Sequence, residues 1–130
     1  MIARLSSDNR GSTGLEFGIA LPVLVALIVG VLQFGLVLNA NGAMRNAMGE
    51  GLRLAKVNPS ASENAVLSRT RNSLVGVDHD GIQTLAFARS TTNNVETGTM
   101  TMTIRLTPII PFAAIPPIVL TQSRTVYLPE

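Results

Sequence analysis

Apolar residues follow three successive rhythms along the chain. From Phe17 to Leu38 they are continuous, 22 residues without a charge in which Gln33 is the one strongly polar side chain. A helix of that length rises about 33 Å at about 1.5 Å per residue, enough for a bilayer core of about 30 Å. In lipid the backbone must satisfy its own hydrogen bonds, so a single span of this composition is helical. The second rhythm is helical: Met44, Met48, Leu52 and Ala55 share one face, with Arg45, Glu50 and Arg53 mostly elsewhere. The third has period two. Thr99–Thr107 alternates strictly, with Met100, Met102, Ile104 and Leu106 on one side, the mark of a half-buried strand.

The punctuation between these segments completes the element list. Asn58-Pro59-Ser60 ends the first helix, because proline cannot continue it and disfavours helix in the residue before. Ser60 or Ser62 is placed to cap a second helix of about 61–75, with Ala65, Val66, Leu74 and Val75 inward and Arg69 and Arg71 solvated. Gly76–Gly81 is a turn. A strand over Ile82–Ser90 puts Leu85 and Phe87 on one face and Thr84, Ala86 and Ala88 on the other. Thr91–Gly98 reads as a polar connection to the alternating strand, and a third strand is expected over Ile118–Leu128. Between them lies an apolar loop broken by prolines, Pro108–Pro117. Its Ile109, Ile110, Phe112 and Ile115 either fold over the sheet or meet the membrane or a partner.

The expected fold is therefore α+β: a long amino-terminal membrane-spanning helix, then a small domain with a second helix and a three-stranded antiparallel sheet. The expected boundaries are a leader at 1–11, the first helix at 12–57 with its span at 17–38, and a domain at 58–130. Pro22 should kink the first helix near its start, and Asn39–Gly42 is a soft point within it. Gly14 with Gly18, and Ala26 with Gly30, stand four residues apart, a spacing that lets membrane helices pack closely. Glycine is also simply common in such helices.

Composition removes several function classes. The chain has no cysteine, so thiol chemistry and disulfides are absent. Ten basic against eight acidic residues leave +2, with the bases scattered and no aromatic interleaving, which gives no support for nucleic-acid binding. The single histidine, His79, stands between Asp78 and Asp80; adjacent side chains rarely converge on one ion, so a solvated turn is expected there. No serine motif or phosphate loop is present, and the chain is not expected to be an enzyme or to hold a cofactor or metal.

The polar flank of the span carries the remaining signal. Glu16 is a carboxylate at the mouth of the apolar run, followed directly by Phe17 and preceded at five residues by Gly11. One account is a helix-start acid favoured by the helix dipole and reaching toward the headgroups. Arg10-Gly-Ser-Thr-Gly-Leu-Glu-Phe17, followed by the apolar run, also resembles the prepilin processing site of type IV pilin-like proteins. It is most similar to the tight-adherence (Tad, type IVc) group and, through Pro22, Gln33-Phe-Gly and Ala43–Ala55, to its TadE-like minor pilins, or pseudopilins.

The resemblance implies cleavage by a prepilin peptidase between Gly11 and Ser12. Glu16 and Phe17 would then become the fifth and sixth mature residues, used in recognition and assembly. It further implies an inner-membrane, single-pass protein with a cytoplasmic amino terminus and a periplasmic domain, found outside the cell if it joins the pilus. The implied partners are other pilins or minor pilins and the inner-membrane assembly platform, in homo- or hetero-oligomers. Charge alone does not set this topology: Arg4 and Arg10 precede the span, and Arg45, Arg53 and Lys56 follow it. Two alternatives stand beside it. Ala40-Asn-Gly42 offers a small-residue site for ordinary signal cleavage, although the run exceeds the usual ~7–15 residues. An uncleaved, membrane-anchored periplasmic interaction module is the other.

Overall fold

The computed structural model describes residues 10–108 and 114–129, with side chains from Thr13 onward. The leader before Arg10, and Ile109, Ile110 and Phe112 of the proline-broken loop, lie outside the described residues. The elements are α1 (Arg10–Val57), α2 (Glu63–Asn72), a short 3₁₀ turn (His79–Gly81), and strands β1 (Ile82–Thr92), β2 (Val95–Leu106) and β3 (Ile118–Tyr127). The sheet is antiparallel in the order β1-β2-β3. The α+β class and the element order match the expectation. The chain divides into two compact units, Met1–Gly35 and Leu36–Glu130, so the boundary falls inside α1.

The first unit consists, in its described part, of α1 up to Gly35. Its large apolar side chains face outward, among them Leu15, Phe17, Ile19, Leu27 and Val31. An 18-residue window of this helix has the length and apolarity of a membrane span, and none of it is buried. A core helix of a soluble protein would be covered. This one presents its apolar surface, as lipid-facing helices do.

The second unit is built on the rest of α1. Ala40, Met44, Ala47, Met48, Leu52 and Ala55 are all buried, at spacings of three and four that trace one helical face. Against it lie Met100, Met102 and Ile104 of β2, all fully buried, with Phe87, Leu106 and Leu128 around them. Each such large side chain contributes about 1.5–3 kcal/mol on leaving water. The core is rich in methionine, whose unbranched, rotatable side chain fills an irregular helix–sheet gap. The Met44–Ala55 stripe is thus core packing.

Local chemistry sets the ends. Asn58 follows the last residue of α1, and the Ser62 hydroxyl accepts from the Ala65 amide at 3.2 Å to cap α2. The helix stops at Asn72, short of the expected 75. That shift puts Val75 outside, 76% exposed, instead of inside; Ala65 is also exposed, while Val66 and Leu74 are buried as expected. The inward position between them is taken by Thr70. Its hydroxyl is buried and donates to the Val66 carbonyl at 2.9 Å, so its polar atom carries no desolvation debt.

The polar connection expected over Thr91–Gly98 is not a loop. Both strands continue through it, and the turn is Asn93-Asn94 alone, with φ of 51° and 63°. Two successive left-handed residues match the twist of a two-residue hairpin, and asparagine tolerates that region better than other non-glycine residues. On the far side of the sheet, hydroxyls pair across β2 and β3: Thr99 with Thr125 (2.9 Å), Thr101 with Ser123 (3.3 Å) and Thr103 with Thr121 (3.1 Å). That face is mostly hydroxylated and solvated, with Arg105 at one end of β2. It explains why one face of the three-stranded layer needs no second sheet.

Gly51 allows the closest approach in the core. A Cβ there would lie 1.9 Å from Thr70 Oγ1 and 2.9 Å from Met100 Cε, so α1, α2 and β2 meet at a point that excludes any side chain. Gly51→Ala should therefore destabilise the carboxyl-terminal unit by about 1–3 kcal/mol. Gly42→Ala, with open space around it, should be neutral or stabilising by up to about 1 kcal/mol. Urea titration of the full chain in detergent, followed by circular dichroism, checks the pair. Equal midpoints for the two variants would refute the close packing.

Candidate functional site

The candidate site is the amino-terminal end of α1. Gly11 and Ser12 fall in its first turn, which begins at Arg10. The cleavage assigned to them is taken up below. Glu16 comes six residues after Arg10, about 9 Å along the axis at the helical rise. The dipole's favourable field fades within the first turn, and no acidic residue occupies that turn. Glu16 therefore lies beyond the turn where that field is strongest. The residue is exposed, and among the described residues nothing pairs with its carboxylate. Phe17 beside it is 67% exposed. A carboxylate next to an open aromatic and an unburied apolar helix is costly in lipid unless a partner or water reaches it.

The small residues do not form one continuous seam. At 3.6 residues per turn, the Gly14–Gly18 pair and the Ala26–Gly30 pair point about 120° apart around the helix. An added Cβ at Gly14, Gly18 or Gly30 would meet nothing within 4 Å, so these are open notches rather than filled contacts. Pro22 lies inside α1, whose span runs through it. Its missing N–H leaves the Gly18 carbonyl without the usual helical donor, next to one of those notches.

Elsewhere the charged groups explain themselves locally. Glu50 sits between Arg69 (3.2 Å) and Arg53 (3.8 Å), and Arg89 pairs with Glu96 at 3.2 Å while its guanidinium lies 5.7 Å over the Phe87 ring. A second nitrogen of Arg89 donates to the Ala61 carbonyl at 2.9 Å, tying β1 to the start of α2. His79 Nε2 lies 2.8 Å from the Leu74 carbonyl, and Asp78 accepts from the Asp80 amide at 3.1 Å. These are turn-forming bonds, as the sequence suggested. No group of three or more metal-ligating side chains occurs among the described residues.

Residues 11–53 fit the family model described as TadE-like protein. The match begins at Gly11, takes in Glu16 and the whole apolar run, and ends within the buried face of α1, so the sheet lies outside it. No curated protein and no solved structure matches the chain. The exposed apolar helix fits a single-pass membrane anchor. Over residues 11–53 the chain is therefore similar to the TadE-like proteins.

Proposed function

We propose that this chain is a TadE-like minor pilin, or pseudopilin, that a prepilin peptidase cuts between Gly11 and Ser12 before it takes part in assembling a Tad pilus used in surface adherence. The observation that carries the reading is Glu16: exposed, beyond the first turn of α1, and unpaired among the described residues. In this reading residues 1–11 are the leader, 12–57 the helix and 58–130 the outer domain. The uncut chain waits in the inner membrane with that domain in the periplasm.

The physics of assembly is direct. Helices gathered into a filament cover their apolar faces with one another instead of lipid, using the Gly14–Gly18 and Ala26–Gly30 notches. Glu16 then leaves the headgroup region and needs an opposite charge. Cleavage supplies one, the new amino group of Ser12. Pairing Glu16 of one subunit with that amine of the next fixes axial register; a buried ion pair of this kind specifies geometry more than it adds stability. Other pilins and the inner-membrane assembly platform are the partners that such a helix requires.

Two experiments test this. Intact-mass analysis of the protein from native membranes should give a chain beginning at Ser12, and Gly11→Ala should block or slow the cut. An uncut chain, or one beginning near Ala43, favours the anchored module or a secreted domain. For the carboxylate, Glu16→Gln removes charge and keeps shape. A capping acid contributes about 0.3–1 kcal/mol, so a purely local role predicts little change. The assembly role predicts normal insertion, largely normal cleavage and a sharp loss of surface piliation and adherence. Normal piliation in a strain carrying processed Glu16→Gln protein alone removes that role.

A further inference from the structure

Gln33 is the one strongly polar side chain of the uncharged run, and it stands five residues inside the end at Leu38, about 7.5 Å along the helix. Helical side chains lean toward the amino terminus, so this one tilts away from the nearer interface. The headgroups are therefore out of its easy reach. Its amide nitrogen Nε2 is screened from solvent and has no hydrogen-bond partner among the described residues. A polar group left so inside an apolar layer is costly until another group pairs with it.

The position of Gln33 around the helix indicates where a partner comes from. Counting back from it by alternate threes and fours gives Gly30, Ala26, Val23 and Ile19. At about 100° per residue these five positions fall within about 80° of one another, on a stripe about 21 Å long. The spacing is that of a coiled-coil seam, in which a facing helix meets every third and fourth residue. Ile19, Val23 and Ala26 are exposed, and an added Cβ at Gly30 would meet nothing within 4 Å. All five lie on one helix within the Met1–Gly35 unit, so the stripe depends on no other part of the fold. Small residues beside Gln33 let two backbones come close enough for a carboxamide to bridge them.

We propose that this stripe is the contact between two copies of α1 lying parallel in the membrane, with their Gln33 carboxamides hydrogen-bonded to each other. A second copy fits for a chemical reason. A carboxamide both donates and accepts, so two of them at one level satisfy each other. Two anchors that cross in the same direction about a shared two-fold axis bring identical residues to that level. The terminal amide torsion is broad, so Nε2 turns toward the partner at small cost. One polar residue in an otherwise apolar seam also fixes register and stoichiometry. The Gly14–Gly18 pair, on another face, lies outside this contact. The inference rests on the membrane-anchor reading of α1, and not on cleavage or piliation.

The test uses the full purified chain in phosphatidylethanolamine–phosphatidylglycerol liposomes. The chain has no cysteine, so Ala26→Cys and Ile28→Cys each report one face, Ile28 pointing about 180° away from the stripe. Oxidative cross-linking should be several-fold greater at Ala26 than at Ile28. Association is measured by energy transfer between chains labelled on Ser60→Cys, in the exposed turn after α1. Gln33→Leu should weaken it about three- to thirty-fold, and Gln33→Asn should keep part of it. Gln33→Leu eases insertion, so its loss of pairing is not a failure to enter the bilayer. Equal cross-linking at the two positions overturns the seam. Association unchanged in Gln33→Leu overturns the amide contact. A wild-type chain that floats with the liposomes yet stays monomeric overturns the second copy as occupant and leaves the anchor intact. Loss of flotation removes the anchor reading and this proposal with it.

Discussion

The α1 helix changes surroundings at Leu38–Ala40 without changing secondary structure, and the carboxyl-terminal unit is assembled on the half that follows. Before that point its apolar side chains face outward on all sides. After it, the outward positions become Arg45, Asn46, Arg53 and Lys56, and one stripe from Ala40 to Ala55 meets the sheet. A helix that satisfies its own backbone bonds tolerates either environment; side-chain chemistry alone decides which one each segment takes. The domain is small, and its core depends on borrowing this helix. Without Met44, Met48 and Leu52, the buried face of β2 would have no opposite wall.

Close approach is the second requirement. Ala47, Gly51 and Ala55 keep the inner face of α1 low, so Thr70 of α2 and Met100 of β2 reach the same spot, with Thr70 Oγ1 3.3 Å from Met100 Sδ. Three elements thus lock at one glycine. The other end of the molecule uses small residues differently. Gly14, Gly18 and Gly30 leave space that the chain itself does not fill. The same residue type closes an internal contact in one segment and stands open in the other.

Much of this was legible in the sequence, for identifiable reasons. The strict alternation of Thr99–Leu106 has a single physical solution, and β2 adopts it. The apolar run and the Met44–Ala55 stripe were equally clear, because their periods differ so plainly from the strand's. The Asn93-Asn94 hairpin is hard to read because it lacks the glycine that usually marks such a turn, and the residues around it, Val95 apart, are polar. Thr70 was missed because a hydroxyl satisfied by its own helix leaves no trace in a hydrophobic pattern. Val75 lies outside, against the expectation, because α2 ends at Asn72. At the candidate site Gly11, Ser12, Glu16 and Phe17 rest on the motif alone, and the structure adds the position of Glu16 beyond the first turn of α1. The 120° separation of the small-residue pairs follows from helix geometry alone and was available from the start.

The central claim is that one unbroken helix serves as membrane span and then as domain wall. A single-cysteine scan from Leu27 to Val57 in liposomes tests it most directly, reading lipid-phase and aqueous reagents at each position. The account predicts lipid exposure of nearly every position to Leu38. Beyond it, protection should recur at Ala40, Met44, Ala47, Met48, Leu52 and Ala55, with Arg45, Arg53 and Lys56 open to water. A break in the helical period at Asn39–Gly42, or water-accessible positions throughout 27–36, would contradict it.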